Sequence, residues 1–345
     1  MNNKFQNIKN IDKNNFFKDL KDFPKQIEYI INNRTIFDKI NKVSQYSNIL
    51  ICGMGGSGIS GDLLKSVFQD NIKLPIIINK DYGIPNFVSN GTLIILSSYS
   101  GNTEEILSCF DSCIENNYSP IILANNGQLL VKAKENNLQY VKIPGGLMPR
   151  AALGYSITIL IKILHRFNIL NDETLNDLEN SISYLKADST KYSNLDIKEN
   201  TSMVMAKKCY NKFNIIYTSS KMEVVGMIFR AQLSENSKIL SSHFIFPEQN
   251  HNEIEAFTNS NINKINIIWI NDISLNDKVK KRMKITSRIL NDFAENQFVE
   301  FTGPSFLLRE LRLIYFLDWV SFYCAMLLET NPYPIDKIKQ LKSLL

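Results

Sequence analysis

The sequence has little that would mark a secreted, membrane-borne or metal-bound protein. It has only five cysteines in 345 residues, with no CxxC pair, and an odd number fits a reducing compartment better than a disulfide framework. Cys109 and Cys113 share a helix face, but without a nearby histidine they make a poor metal site. Like Cys52, Cys209 and Cys324, they are read as core thiols. No long apolar run is free of charge. The longest, Phe306 to Leu328, carries Arg309, Glu310, Arg312 and Asp318, whereas a membrane span needs about 20 nearly uncharged residues, so this run predicts a buried helix. The Asn/Asp/Lys-rich opening through Phe23 has neither the apolar stretch nor the cleavage site of a signal peptide. An excess of one charge is missing too. The 39 Lys and Arg against 34 Asp and Glu leave +5, spread along the chain rather than gathered in the basic stripes that nucleic acid calls for. These absences lead us to expect a cytoplasmic protein with neither a membrane nor a nucleic-acid partner.

What is present is an ordinary globular composition, 44% hydrophobic and 21% charged, at a length that suggests two domains of about 150 residues each. After a polar, helix-forming lead over 12–45, short apolar runs alternate with helix-period segments. Strands are expected at Asn48–Cys52, Pro75–Ile78, Thr92–Ser97, Pro120–Ala124 and Tyr140–Ile143, with helices at Leu63–Phe68, Glu104–Glu115 and Leu129–Glu135 between them. This alternation implies βαβ crossovers and a mostly parallel sheet covered on both faces. The apolar helix candidate Ala151–Phe167 and the polar stretch 171–200 break the alternation. A second series follows: strands at Asn214–Tyr217, Phe244–Phe246, Ile265–Ile270 and Phe298–Phe301, helices at Val224–Glu235 and Lys278–Phe293, then the long final helix. The fold class expected is therefore α/β, with two doubly wound domains: 1–155 with its helical lead, a helical linker over 156–205, and 206–345.

Two turns point to phosphate. The first strand runs into Gly53-Met54-Gly55-Gly56-Ser57-Gly58. Glycines there allow positive φ and close approach of a ligand to the backbone, and the following helix aims its N–H groups and dipole at the same spot. The pattern also matches G-x-G-x-x-G, the dinucleotide fingerprint. The second turn, Ser98-Tyr99-Ser100-Gly101-Asn102-Thr103, again follows a buried strand and opens a helix, offering hydroxyls and N–H groups on the scale of one phosphate monoester. A dinucleotide site would instead want one Gly-rich turn and an acid closing the next strand. Here that strand ends in Asn79-Lys80-Asp81, which puts Asp81 late. A sugar phosphate is favoured over NAD, with Gly55, Gly56, Ser57, Ser98, Ser100 and Thr103 as its phosphate ligands. The plainer alternative is that the second turn only caps its helix through Ser100 or Thr103.

GMGGSG followed by SYSGNTEE resembles the sugar isomerase (SIS) domain. Pro149-Arg150-Ala151-Ala152-Leu153-Gly154-Tyr155 is similar to the corresponding segment of the bifunctional phosphoglucose/phosphomannose isomerase family. The resemblance runs from about Phe23-Pro24-Lys25-Gln26 to the last residues. It implies two SIS domains in tandem, the first holding phosphate and the second supplying acid–base groups. It also implies an isomerase of glucose 6-phosphate and fructose 6-phosphate, with mannose 6-phosphate as a second substrate.

Moving a proton between C1 and C2 through a cis-enediol needs a base and groups that open the sugar ring; no metal or redox cofactor is called for. The second half offers Glu235 at the end of a helix pattern, then Pro247-Glu248-Gln249-Asn250-His251-Asn252-Glu253. A histidine near pKa 6.5 can shuttle the ring-oxygen proton, and a partly buried carboxylate can be tuned upward as a base. By residue type alone Glu235 reads as solvated. The resemblance makes Glu235 the base, His251 the ring-opening acid, Lys342 the catalytic lysine (with Lys337 and Lys339 as rivals) and Arg150 the stabiliser of the enediolate. It further implies that His251 reaches the site from a neighbouring subunit, so that a homodimer is the active unit. Glu253 is expected to orient His251, while His165 and His243 read as structural. Three features depart from the family pattern: Thr218-Ser219-Ser220 where a glycine turn is usual, Arg230 in place of Lys, and Gln249 in place of Leu. A non-catalytic sugar-phosphate sensor is the competing reading, although no helix-turn-helix precedes the first turn.

Overall fold

The computed structural model describes residues 5, 7–41, 45–196, 198–258 and 264–344. The chain forms two compact units, Phe23–Ser183 and Met1–Asp22 with Tyr184–Leu345. Its elements run α1 (Ile8–Ile11), α2 (Phe16–Lys21), α3 (Phe23–Asn32), β1 (Asn48–Gly53), α4 (Gly55–Phe68), β2 (Ile76–Asn79), β3 (Thr92–Ser98), α5 (Glu104–Glu115), β4 (Ile121–Ala124), α6 (Gly127–Glu135), β5 (Tyr140–Lys142), α7 (Leu153–Arg166) and α8 (Asp172–Ser193). They continue with α9 (Thr201–Cys209), β6 (Phe213–Ser219), α10 (Glu223–Asn236), β7 (Ser241–Phe246), β8 (Ile265–Ile270), α11 (Asp277–Ile289), β9 (Glu295–Val299), α12 (Phe306–Leu327) and α13 (Asp336–Leu344).

In the unit Phe23–Ser183, five strands form one all-parallel sheet in the order β2-β1-β3-β4-β5. The near-continuous Ile/Leu runs of β1, β3 and β4 follow from burial on both faces. Leu50, Cys52, Ile94, Leu96 and Ile122 pack with Ile106, Cys109 and Phe110 of α5 and with Leu129 and Leu130 of α6. α4 and α7 pack together and α3 lies on α7. There Gln26 Nε2 donates to the Ala151 carbonyl (2.7 Å), and Lys162 Nζ donates to the carbonyls of Ile30 (3.1 Å) and Ile31 (3.0 Å). β1 and β3 are neighbours whose crossovers run in opposite directions, so the crevice at their carboxyl ends is the topological switch point at which open α/β sheets bind ligands. Both glycine-bearing turns emerge there.

In the other unit, a four-stranded parallel sheet runs β7-β6-β8-β9, the same order as β2-β1-β3-β4. α12 is the run read as a buried helix. Its aromatic residues Tyr315, Trp319, Phe322 and Tyr323 are buried, and its two arginines are neutralised by Arg309–Asp272 and Arg312–Asp188 ion pairs, each at 2.6 Å. No helix among the described residues is long and apolar enough to cross a membrane.

The units are divided differently from the boundaries expected at 155 and 206. The opening helices group with the carboxy-terminal sheet because Phe17 packs edge-on to Trp319 (5.1 Å between centroids), Phe16 lies by Phe322, and Tyr315 Oη donates to the Leu20 carbonyl at 2.9 Å. α7, expected to begin a linker, is instead a core helix of Phe23–Ser183.

Candidate active site

β1 delivers the first turn. Met54 is extended (φ −112°, ψ 153°) and no side chain caps α4 behind it. Gly55 has φ +50° with open space where a side chain would begin. At Gly56 a Cβ would lie 2.7 Å from the Pro149 carbonyl oxygen, so glycine lets the segment carrying Arg150 lie against this turn. Ser57 is 5% exposed and its Oγ accepts the Tyr99 N–H at 3.0 Å, which ties the two turns together and leaves the hydroxyl proton to donate elsewhere.

The second turn is organised by its own hydroxyls. Ser98 Oγ lies 2.8 Å from Thr103 Oγ1 and accepts the Gly101 N–H at 3.1 Å, and Ser100 Oγ accepts the Asn102 N–H at 3.3 Å. Thr103 stands at the N-cap of α5 but makes no side-chain capping bond. The plain helix-cap reading is thus not what this turn does: its hydroxyls face one another, and neither α4 nor α5 has its amino end closed by a side chain. Such helix starts attract an anion.

Residues outside the sequence expectation hold the turns in place. Tyr99 is buried; its Oη donates to the Pro144 carbonyl (3.1 Å) and accepts the Leu147 N–H (3.2 Å). A third turn, Asn125-Asn126-Gly127, supports the second. Asn125 N donates to the Tyr99 carbonyl (3.1 Å), Leu129 N to the Gly101 carbonyl (2.9 Å) and Gln128 N to Asn102 Oδ1 (2.9 Å). The Asn-Gly pair after an apolar strand was the sequence signal for it. Arg150 is half-buried in the 3-10 turn Pro149–Ala151. Gly55, Gly56, Ser57, Ser98, Ser100, Thr103 and Arg150 therefore all belong to one unit, around one switch point. At the end of β2, where a dinucleotide site would place an acid, Lys80 instead pairs with Asp62 of α4 at 2.6 Å.

Glu235, His251 and Lys342 all belong to the other unit. Glu235 is half-buried in the last turn of α10. Lys238 Nζ donates to the Glu235 carbonyl and, at 2.7 Å, to the Pro334 carbonyl, which links the end of α10 to the segment entering α13. Lys342 is exposed on α13, as are Lys337 and Lys339. His251 is exposed at the end of the 3-10 turn Glu248–His251.

Glu253 is half-buried, and burial pushes its carboxyl up to about 7 against the opposing pull of nearby Tyr217 and Gln249. His243 is held down to about 4 by burial and by the Arg230 charge, with Nε2 2.8 Å from Thr218 Oγ1. His165 pairs with Asp172 at 2.7 Å. Among the described residues no group of three or more His, Cys, Asp or Glu is placed to hold a metal ion.

The second sheet has a switch point too, but its positions are taken. Ser219 Oγ accepts the Met222 N–H at 3.3 Å. After β8, Asp272 takes Ser274 N–H and Oγ (2.8 and 2.6 Å) and the Arg309 guanidinium. Burial alone would raise the Asp272 carboxyl, yet Arg309 and Ser274 bring it below its ordinary value.

Two doubly wound units, one with paired hydroxyl-and-glycine turns at its switch point, define a tandem SIS-type protein. Residues 198–345 match the family described as the bacterial phospho-glucose isomerase C-terminal SIS domain. The chain is 32% identical over 308 residues to a bifunctional phosphoglucose/phosphomannose isomerase of Aquifex aeolicus (88% of this chain, 92% of that one). It is 33% identical over 308 residues to the like-named protein of Caldicellulosiruptor bescii (88% and 90%). A crystal structure of a glucose-6-phosphate isomerase from Chlamydia trachomatis shares the fold, with a TM-score of 0.66 at 11% identity over 94% of this chain and 72% of that one. The chain belongs to the bifunctional phosphoglucose/phosphomannose isomerase family.

Proposed function

We propose that this protein interconverts glucose 6-phosphate and fructose 6-phosphate, and mannose 6-phosphate with the same ketose, through a cis-enediol. The observation that carries this reading is the pair of phosphate-type turns at one switch point beside Arg150, in a chain of this family. The monoester is held by the N–H groups of Gly55 and Gly56 and by the hydroxyls of Ser57, Ser98, Ser100 and Thr103. Glu235 takes the C2 proton of the open-chain aldose and returns it to C1. His251 and Lys342 assist ring opening and closure, and Arg150 lowers the energy of the enediolate by facing its developing charge. The proton stays within the sugar, so no metal or redox carrier enters the reaction and a chelator leaves turnover unchanged.

The exposure of His251 suits a group delivered to a neighbouring copy, and a cytoplasmic homodimer with a shared site is the assembly we propose. Losing a general base costs about 10²–10⁴-fold. Glu235→Gln should therefore lose at least about a hundredfold in a coupled fructose 6-phosphate assay, and a wild-type rate would refute the assignment. Tight binding of fructose 6-phosphate by the unmodified protein without any turnover would support the sensor reading instead.

A further inference from the structure

The three residues that follow Glu235 fasten the end of α10. Asn236 is fully buried, and its Nδ2 donates to Ser321 Oγ of α12 at 2.8 Å and to Asp318 Oδ1 at 3.4 Å. Ser237, 1% exposed, donates from its Oγ to the Ser321 carbonyl at 3.1 Å. A buried amide or hydroxyl costs stability unless it is hydrogen-bonded, so these bonds hold the end of α10 to α12 in one register. Lys238 then takes the left-handed backbone conformation, with φ +59°. From there its Nζ donates back to the Glu235 carbonyl and outward to the Pro334 carbonyl at 2.7 Å. Pro334 stands two residues before α13, the helix of Lys342. None of the residues Asp336–Leu344 in that helix is buried.

We propose that Lys238 is a positioning residue for the isomerase: it ties the helix end that carries Glu235 to the segment entering α13, and so sets where Lys342 is presented relative to Glu235. This rests on the readings of Glu235 as the base and of Lys342 as a ring-opening group. The two ends of the link differ in kind. α10 is fixed by its buried bonds to α12, whereas a helix without a buried face inherits its place from the chain that leads into it. A lysine at a helix end is commonly only a cap for a last carbonyl. A cap needs an acceptor on its own helix and no other; here the second acceptor lies 96 residues further along the chain. Proton transfer needs heavy-atom distances of about 2.6–3.2 Å, and misplacing a group by about 1 Å costs about a hundredfold.

The test is steady-state kinetics of the full chain with fructose 6-phosphate, combined with hydrogen exchange over 335–344. Lys238 is exposed, so its replacement leaves the core intact. Lys238→Met keeps the apolar stem and removes the donor; kcat should fall by about ten- to a hundredfold with KM unchanged, because the phosphate turns belong to the other unit. Exchange over 335–344 should quicken in the same variant. Lys238→Arg supplies donors for both carbonyls and should restore most of kcat and the slow exchange. In a Lys342→Ala background, Lys238→Met should cost nothing further, since residues acting as one unit are not additive. A wild-type kcat in Lys238→Met would overturn the proposal. So would an equal loss in the Lys342→Ala background, or an Arg variant as impaired as the Met variant. Full activity in Lys342→Ala alone, or no turnover by the unmodified protein, would instead sink the reading on which the proposal rests. The link would then be judged by exchange alone, and unchanged exchange over 335–344 in Lys238→Met overturns it.

Discussion

Gly101→Ala probes the phosphate turns most directly. Gly101 has φ +70°, and a Cβ built on it would lie 1.7 Å from the Asn126 carbonyl oxygen. The left-handed backbone alone costs a residue with a side chain about 1–2 kcal/mol. The overlap is the larger effect, because its target is backbone and cannot swing aside. Relief requires the turn at Asn126 to retreat, which gives up Leu129 N to the Gly101 carbonyl (2.9 Å), Gln128 N to Asn102 Oδ1 (2.9 Å) and Asn125 N to the Tyr99 carbonyl (3.1 Å). At about 0.5–1.5 kcal/mol for each hydrogen bond, losing two of the three brings the total to about 2–5 kcal/mol. If the turn distorts rather than unfolds, that energy is withdrawn from substrate binding. At about 1.4 kcal/mol per tenfold, KM for fructose 6-phosphate should then rise by at least about thirtyfold.

Gly55→Ala is the control for backbone strain. Its φ is also positive, at +50°, but nothing lies within 4 Å of the added carbon, so its stability cost is confined to about 1–2 kcal/mol. Thermal unfolding of both variants beside the coupled assay separates the two contributions. A wild-type KM and melting temperature in Gly101→Ala, or a Gly55→Ala destabilised as much as Gly101→Ala, would refute the clash argument.

Three further outcomes are expected. Ser57→Ala strands the buried Tyr99 N–H at a cost of about 1–3 kcal/mol and uncouples the two turns; KM should rise, and a KM equal to wild type would remove Ser57 from the phosphate site. Asp272→Asn leaves the Arg309 guanidinium buried without its charge partner, so chemical denaturation should show a loss of about 3–5 kcal/mol; a change below about 1 kcal/mol would mean the pair is solvated. His243 is lowered to about 4 in the folded protein from an ordinary 6.5, so the unfolded chain binds the proton first. Its neutral burial therefore contributes stability in full above about 6.5, and loses it as pH falls toward 4. His243→Gln should flatten that part of the stability–pH curve, and an unchanged slope would show that His243 is not the group responsible.

How much could be read beforehand depended on whether the cause was local. The strands at the sheet centres were legible because burial on both faces demands unbroken apolar runs: the expected Ile265–Ile270 is β8 as observed, and Thr92–Ser97 falls one residue short of β3. The edge strands β2 and β5 fell within one residue of expectation, but those of the second sheet did not. β7 begins at Ser241 rather than Phe244, and β9 covers Glu295–Val299 rather than Phe298–Phe301. An edge position needs no apolar run, and Asn296 is held there by Trp269 Nε1, which donates to its Oδ1 at 2.7 Å. The same distinction governs the site. The two glycine-bearing turns announce their backbone needs in their own residues. The support of the second turn by Asn125-Asn126-Gly127 and the burial of Ser57 under Tyr99 depend on partners dozens of residues away. The Asn-Gly pair marks a turn, but composition and spacing do not say which partner it meets.

The two sheets share a strand order, and a difference between them supports the division of roles proposed above. A switch point between crossovers of opposite direction creates a crevice in both, but a crevice binds an anion only if the helix starts that border it have unspent donors. In Phe23–Ser183 glycine occupies those positions, no side chain closes α4 or α5, and the hydroxyls of Ser98 and Thr103 face each other at 2.8 Å. In the other unit Ser219 caps its own turn, and Asp272 brings a negative charge to the corresponding end of β8, neutralised by buried Arg309. A phosphate there would have to displace a carboxylate already paired with a guanidinium. That exchange gains no charge compensation and leaves the displaced carboxylate to be solvated or buried alone. The second switch point is therefore closed by its own ion pair. Freed of phosphate binding, its unit retains the end of α10, the His251 turn and α13 as the places from which acid–base groups can be offered.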